Sequence, residues 1–148
     1  MSGLHMLGRA LILVFLLLSS GPLMAQGGDL EDFDRMQARL VQLEDQGQFD
    51  QAIPLGNASL ALSEQLFGPT HFNTAKALYR LGRLHQNLGH LLEAESCFRR
   101  SLKIYEEAGN PSSLEIAQVL KALAQVYETK GDRVTAHTFS QRAQAVLD

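Results

Sequence analysis

Residue types that carry out chemistry are sparse in this chain and do not fall into a reactive arrangement. Apart from His5 near the N-terminus, the histidines are His71, His85, His90 and His137. None belongs to the H-E-x-x-H pattern, in which two histidines on one helical face bind zinc. Cys97 is the only cysteine, so it cannot form an internal disulfide. We therefore predict no catalytic residue, no metal ligand and no cofactor, and a chain that is not an enzyme.

An acidic cluster near the N-terminal end leaves two interpretations open. Its members are Asp29, Glu31, Asp32 and Asp34. Four carboxylates could bind a cation. They also suit a solvated helix start, because negative charge is stabilised near the positive N-terminal end of a helix.

The charge balance argues against one class of partner. The sequence has 13 Lys and Arg against 16 Asp and Glu, a formal net charge of −3. Nucleic-acid binding depends on Lys and Arg that neutralise phosphates, and here no basic run exceeds two residues. We predict no nucleic-acid partner.

The first 25 residues have the layout of a secretory signal peptide. Arg9 precedes a wholly apolar run over residues 10–18, which is followed by turn-forming residues and then by Ala25. We expect cleavage after Ala25, export to the periplasm or the extracellular space, and no membrane attachment afterwards. The alternative is an uncleaved membrane anchor, although a spanning helix needs about 20 apolar residues.

The rest of the chain repeats itself every 42 residues. A glycine recurs at Gly47, Gly89 and Gly131. An alanine follows each glycine five residues later, at Ala52, Ala94 and Ala136. Within a unit the apolar spacing is helical, as in the series Leu78, Leu81, His85 and Leu88. Glycine ends helices in a left-handed conformation, and alanine lets two helices approach, so each unit is predicted to be an antiparallel helical hairpin.

The repeat also assigns places to two residues that could otherwise suggest chemistry. His85 falls where Tyr127 stands in the third unit, so we predict that it packs at the helix interface. Cys97 falls where Phe139 stands, so we predict a small buried hydrophobic residue rather than a nucleophile.

Several motifs make these units resemble the tetratricopeptide repeat. The family pattern L-G-x-x-Y followed by A-x-x-x-F is matched in unit two by Leu81–His85, Ala94 and Phe98. The 42-residue spacing resembles the kinesin-light-chain type of this repeat, as do G-P-x-H at Gly68–His71 and A-x-P-L at Ala52–Leu55. The resemblance implies an all-α, right-handed solenoid of three stacked antiparallel helical hairpins.

Unit boundaries follow from the spacing. We predict a leader at 1–25 and hairpin repeats at 29–70, 71–112 and 113–148. In the last unit, polar Ser140 and Gln144 stand where unit two has core residues. Such a helix caps the end of an array, so we expect a self-capped monomer in which Val134, Phe139 and Val146 face inward.

Function is predicted on the first helices of the hairpins, which line the groove of such arrays. The candidate partner-binding residues are Lys76, Tyr79, Arg80, Arg83, Gln86, Asn87, Lys121 and Gln125. The matching face of unit one carries Asp34, Gln37, Val41 and Glu44. Cations with an aromatic ring and amides suit an extended, acidic peptide or protein segment. The alternatives are a merely solvated face, a structural protein that associates with itself, and a small-molecule binder.

Overall fold

The computed structural model describes residues 25–108 and 113–148, and six helices follow one another through these ranges. The helices are α1 (Ala25–Asp45), α2 (Phe49–Phe67), α3 (Phe72–Asn87), α4 (Leu91–Glu107), α5 (Ser113–Thr129) and α6 (Arg133–Ala145). They form three antiparallel hairpins, each of which packs on the next. The predicted all-α helical repeat is confirmed.

The leader predicted at 1–25 lies outside the described residues, apart from its last position. Among the residues that the structure does describe, no helix combines the length and apolar character needed to span a bilayer.

Glycines end the first helix of every hairpin in the same way. Gly47, Gly89 and Gly131 have φ angles of 67°, 75° and 82°, a region that side chains with a Cβ rarely adopt. In each turn the residue after the glycine donates its N–H to the carbonyl five residues earlier at 2.9 Å: Gln48 to Leu43, His90 to His85, and Asp132 to Tyr127. Each turn is therefore a Schellman motif, and the predicted role of the glycines is confirmed.

The helices of a hairpin meet at the recurring alanines and at a second pair of positions. Ala52, Ala94 and Ala136 are all buried. In hairpin two, Gly82 lies so close to the ring of Phe98 that an added Cβ would stand 2.7 Å from its Cε1 atom. Hairpin three has Ala124 in place of Gly82 and Ser140 in place of Phe98. The first helix thus gains a methyl group where the second helix loses an aromatic ring.

In hairpin one the large residue of this pair is on the first helix and the small one is on the second helix. Leu40 is buried where the family pattern has a small residue, and Gly56 stands where it has an aromatic ring. The space left by Gly56 is used by α3, because a Cβ there would meet the ends of Leu81 and Leu84 at 3.1 and 3.2 Å. The aromatic ring that unit one lacks is thus replaced by leucine side chains of hairpin two.

Two details of the predicted core are wrong. Leu84 is fully buried, because Gly56 leaves room for it against α2. His85 and Leu88, which belong to the apolar series predicted from the spacing, are only half-buried. Val134 is 80% exposed rather than inward-facing. It lies on the first turn of α6, and its counterpart Leu92 on α4 is equally open to solvent. Phe139 and Val146 do pack partly against the core, as predicted.

A polar network joins hairpin two to hairpin three. Glu95 on α4 accepts hydrogen bonds from the hydroxyl of Tyr127, from Arg99 Nε at 2.8 Å and from Lys130 Nζ at 2.7 Å. Burial raises the pKa of Glu95, but the hydrogen bonds from Lys130, Tyr127 and Arg99 outweigh it and lower the pKa to about 2. Glu95 is therefore ionised at neutral pH and holds the two hairpins together.

Candidate functional site

The first helices α1, α3 and α5 line one face of the array, and this face contains two adjoining depressions. The first, of about 680 Å³, lies between α1, α3 and the start of α5. The second, of about 440 Å³, lies between α3 and α5. Tyr79, Arg83 and Gln118 line both, so the two depressions form one continuous surface, which we call the inner groove.

All eight residues predicted from the sequence line the inner groove. The first depression contains Lys76, Tyr79, Arg80 and Arg83. The second contains Tyr79, Arg83, Gln86, Asn87, Lys121 and Gln125. The helical periodicity that defined the polar face of α3 therefore placed these side chains together, and α5 adds its matching face beside them.

The cations of the groove are held in place differently. Lys76 lies over the ring of Phe72, with 5.7 Å between its Nζ and the ring centroid. Arg83 is exposed and forms no hydrogen bond from its guanidinium among the described residues, whereas its carbonyl accepts from Asn87 at 3.0 Å. Gln86 on α3 donates to Gln125 on α5 at 3.3 Å and so connects the two groove-lining helices. Arg83, like the exposed Lys121 on α5, is thus available to a ligand.

Carboxylates face these cations across the first depression. Asp34 and Glu44 come from α1, and Glu115 comes from α5. Glu44 Oε1 lies 3.9 Å from Arg80 Nε, which is an ion pair but too long for a hydrogen bond. The groove is therefore basic along α3 and acidic along α1. The sequence placed Asp34 and Glu44 on the matching face of unit one but did not show that they lie opposite the cations of α3.

Three polar atoms in the depression are cut off from solvent and lack a hydrogen-bond partner within the described residues. They are Glu44 Oε1, Arg80 Nη1 and Glu115 Oε2. Buried polar atoms are stabilised when they are hydrogen-bonded and destabilise the structure when they are not. These three atoms therefore cost stability and are not themselves open to a ligand in the depression.

An apolar end of the groove was missed by the sequence analysis. Leu30 and Phe33 on α1, Phe67 at the end of α2, and Leu114 on α5 line it. The rings of Phe33 and Phe67 meet edge to face at 5.6 Å, and Leu114 is 58% exposed. Leu30 lies one turn before Asp34, and Phe33 lies one turn before Gln37, so extending the unit-one face backwards would have found them.

Tyr105 lies at the floor of the first depression and is buried. Burial raises the pKa of its phenol, and the neighbouring Glu115 and Tyr79 raise it further. The hydroxyl is therefore protonated at neutral pH and can act as a hydrogen-bond donor rather than as a base.

Groups that could support catalysis are not assembled in the described part of the chain. No group of three or more His, Cys, Asp or Glu residues is arranged to hold a metal ion there. Cys97 is half-buried and packs against the apolar cluster that hairpins one and two share. Burial raises the pKa of its thiol, so the unreactive thiol form dominates.

Comparison with known proteins identifies the fold. The family model for the tetratricopeptide repeat matches residues 41–107 and 74–148. The crystal structure of BtubC (BKLC) from P. vanneervenii has a TM-score of 0.72 and 20% sequence identity, covering 77% of this chain and 46% of that one. The match thus spans less than half of that chain's length. A comparison with curated proteins gave no match.

Three stacked hairpins with a grooved inner face define a helical-repeat protein of the kind that serves as a protein-interaction scaffold. The chain belongs to the tetratricopeptide repeat family, and its repeats resemble those of the kinesin-light-chain type.

Proposed function

We propose that this chain is an exported, non-enzymatic interaction module whose inner groove binds an extended, acidic segment of a partner protein. The observation that carries the proposal is the line of cations on one helical face, from Lys76 through Arg80 to Arg83, with Lys121 beside it. Carboxylates of an extended peptide would pair with these cations, and guanidinium groups favour such pairs because they donate two hydrogen bonds at once.

The acidic side of the groove has a complementary role. An extended peptide offers backbone N–H groups along one edge, and the carboxylates of Glu44 and Glu115, which line the depression, can accept from them. The apolar end at Phe33 and Leu114 would hold a hydrophobic side chain of the same peptide. The ligand is therefore an acidic segment that also contains at least one large apolar residue.

Peptide binding tests the proposal directly. Fluorescence anisotropy with the full chain would compare a labelled acidic peptide containing one Leu or Phe with a peptide in which the acids are replaced by Lys. We expect saturable binding of the acidic peptide alone, weakening as salt is raised. Equal affinity for the two peptides, or binding of neither, would contradict the proposal.

A matched pair of variants localises the binding. Arg83→Gln removes a cation from the groove, whereas Lys103→Gln removes one from α4, where Lys103 is exposed and paired with Glu107. We expect Arg83→Gln to lose about 1 kcal/mol of binding free energy, which is roughly a fivefold weakening, and Lys103→Gln to bind as the unaltered chain does. A similar loss for both variants would indicate a non-specific charge effect.

Export is supported by the leader layout in residues 1–25. Mass spectrometry of the protein recovered from its native source should give a chain that begins at Gln26. A membrane-bound chain that retains Met1 would instead establish the uncleaved anchor.

A further inference from the structure

The turn of hairpin two brings two imidazole rings into direct contact outside the groove. His85 Nδ1 and His90 Nδ1 are 3.4 Å apart, and the ring centroids are separated by 5.7 Å. His85 is half-buried in the last turn of α3, and His90 is exposed immediately before α4. While at most one ring carries a proton, an N–H on one ring can face a lone pair on the other. When both rings are protonated, two N–H groups and two positive charges oppose each other.

The Schellman turn holds the two rings together. Its hydrogen bond from His90 N to His85 O, at 2.9 Å, fixes the backbone of both residues. Histidine is the side chain that ordinarily gains charge between pH 8 and pH 5. The middle turn alone has a pair of them, because the same two positions hold Leu43 and Gln48 in hairpin one, and Tyr127 and Asp132 in hairpin three.

The side of His85 that faces α2 offers no charge to compensate a proton. Its counterpart Tyr127 lies within the network of Glu95, and the repeat gives the equivalent surroundings of His85. The places of Glu95, Arg99 and Lys130 are held there by uncharged residues, which are Ile53, Asn57 and Leu88. On the α4 side, Glu93 and His90 are the charged or titratable groups that act on His85 among the described residues.

These surroundings set the direction in which acid acts. Burial lowers the pKa of His85 below its usual 6.5; Glu93 acts in the opposite direction, and His90 lowers the pKa further. Because the folded pKa lies below the unfolded one, neutral His85 supports folding above pH 6.5, and this support is lost as the pH falls.

We propose that His85 and His90 form a pH-sensitive latch across the turn between α3 and α4, which is closed while at most one ring carries a proton and opens when mild acid protonates both. The exposed ring of His90 then turns into solvent, and the last turn of α3 loses its side-chain contact with the start of α4. Gln86 and Asn87 follow His85 on that turn and line the groove, so the second depression loosens with it. Because the pKa of Glu95 is about 2, the junction with hairpin three stays closed at this pH.

NMR titration of the imidazole protons in the full chain, from about pH 8 to pH 5, tests the coupling between the rings. His90→Gln removes one ring, and hairpin one already accepts Gln48 at the equivalent position. We expect the titration midpoint of His85 to rise by about 0.5–1 pH unit in this variant. His137→Gln, on the exposed surface of α6, is the matched control and should leave the midpoint unchanged. A midpoint that does not move in His90→Gln would overturn the proposal.

Amide hydrogen exchange tests the opening of the latch. Relative to the intrinsic exchange rate at each pH, the amide of residue 90 should lose about three- to tenfold of its protection between pH 7.5 and pH 5. His90→Gln should abolish this loss, and His137→Gln should retain it. Glu95 is still ionised at pH 5, so its own acid response does not contribute. Equal protection at both pH values in the unaltered chain, or the same loss in His90→Gln, would contradict the latch.

Discussion

The guanidinium of Arg100 on α4 pairs with the carboxylate of Glu64 on α2, and the same pair recurs 42 residues later as Arg142 with Glu106. Each pair joins the second helices of neighbouring hairpins. The 42-residue repeat therefore extends to the polar contacts between hairpins and is not confined to glycine, alanine and the apolar core.

These recurring pairs should make a small contribution to stability, because their side chains are 34–51% exposed to solvent. A double-mutant cycle on Glu106 and Arg142, both changed to Ala, should give a coupling of about 0.2–1 kcal/mol in denaturant unfolding, and less at high salt. A coupling that is unaffected by salt would mean that the pair is shielded from water.

Gly82→Ala should destabilise the protein, although alanine is the better helix former by about 1 kcal/mol. The new methyl would stand 2.7 Å from the ring of Phe98, which is fully buried and has no room to move. We expect a net loss of about 1–3 kcal/mol in the free energy of unfolding.

Gly56→Ala is the matched control for this substitution. There the methyl would meet only the flexible ends of Leu81 and Leu84, at 3.1 and 3.2 Å. We expect a smaller loss, measured by the same urea unfolding. Equal losses for the two substitutions would show that contact with the Phe98 ring is not what makes Gly82→Ala unfavourable.

Acid should weaken the junction between hairpins two and three. Folding lowers the pKa of Glu95 from its usual 4.5 to about 2, so the stabilisation is present above pH 4.5 and is lost as the pH falls towards 2. Glu95→Gln should cost about 1–2 kcal/mol at neutral pH and should flatten this acid dependence. Thermal unfolding from pH 7 to pH 2.5 measures both effects. An unchanged pH profile in the variant would contradict the assignment.

The array should be monomeric at low micromolar concentration. Ser140 and Gln144 are exposed on α6, where hairpin two has the buried Phe98 and Leu102. A polar outer face on the last helix leaves little apolar surface for another copy. Light scattering across a dilution series should give a constant monomer mass, whereas a dimer that persists on dilution would support the self-associating alternative.

The repeat could be predicted from the sequence because the turns and the helix contacts each require a particular residue type. Gly89 and Ala94 are required by a left-handed turn and by a close helix contact, and either requirement can be recognised from one residue type at a fixed spacing. The polar face of α3 was predictable for the same reason, since it follows from helical periodicity alone.

What the sequence did not reveal depends on neighbouring hairpins. Leu84 is buried because Gly56 of another hairpin leaves room for it. The sequence assigned Glu44 to the groove face of unit one, but its position opposite Arg80 likewise appears only when the hairpins are stacked. Spacing along a single helix contains no information about these relations.

The stacking of the hairpins determines how the molecule opens. Hairpin two has a neighbour on both sides, whereas hairpins one and three each have one, so within the described array the end units lose fewer contacts when they detach. Amide hydrogen exchange should therefore be slowest in α3 and α4 and faster towards both ends. The groove, whose cations lie mainly on α3, is consequently built on the unit that opens least often, and its flanking walls on α1 and α5 are the parts free to adjust to a ligand.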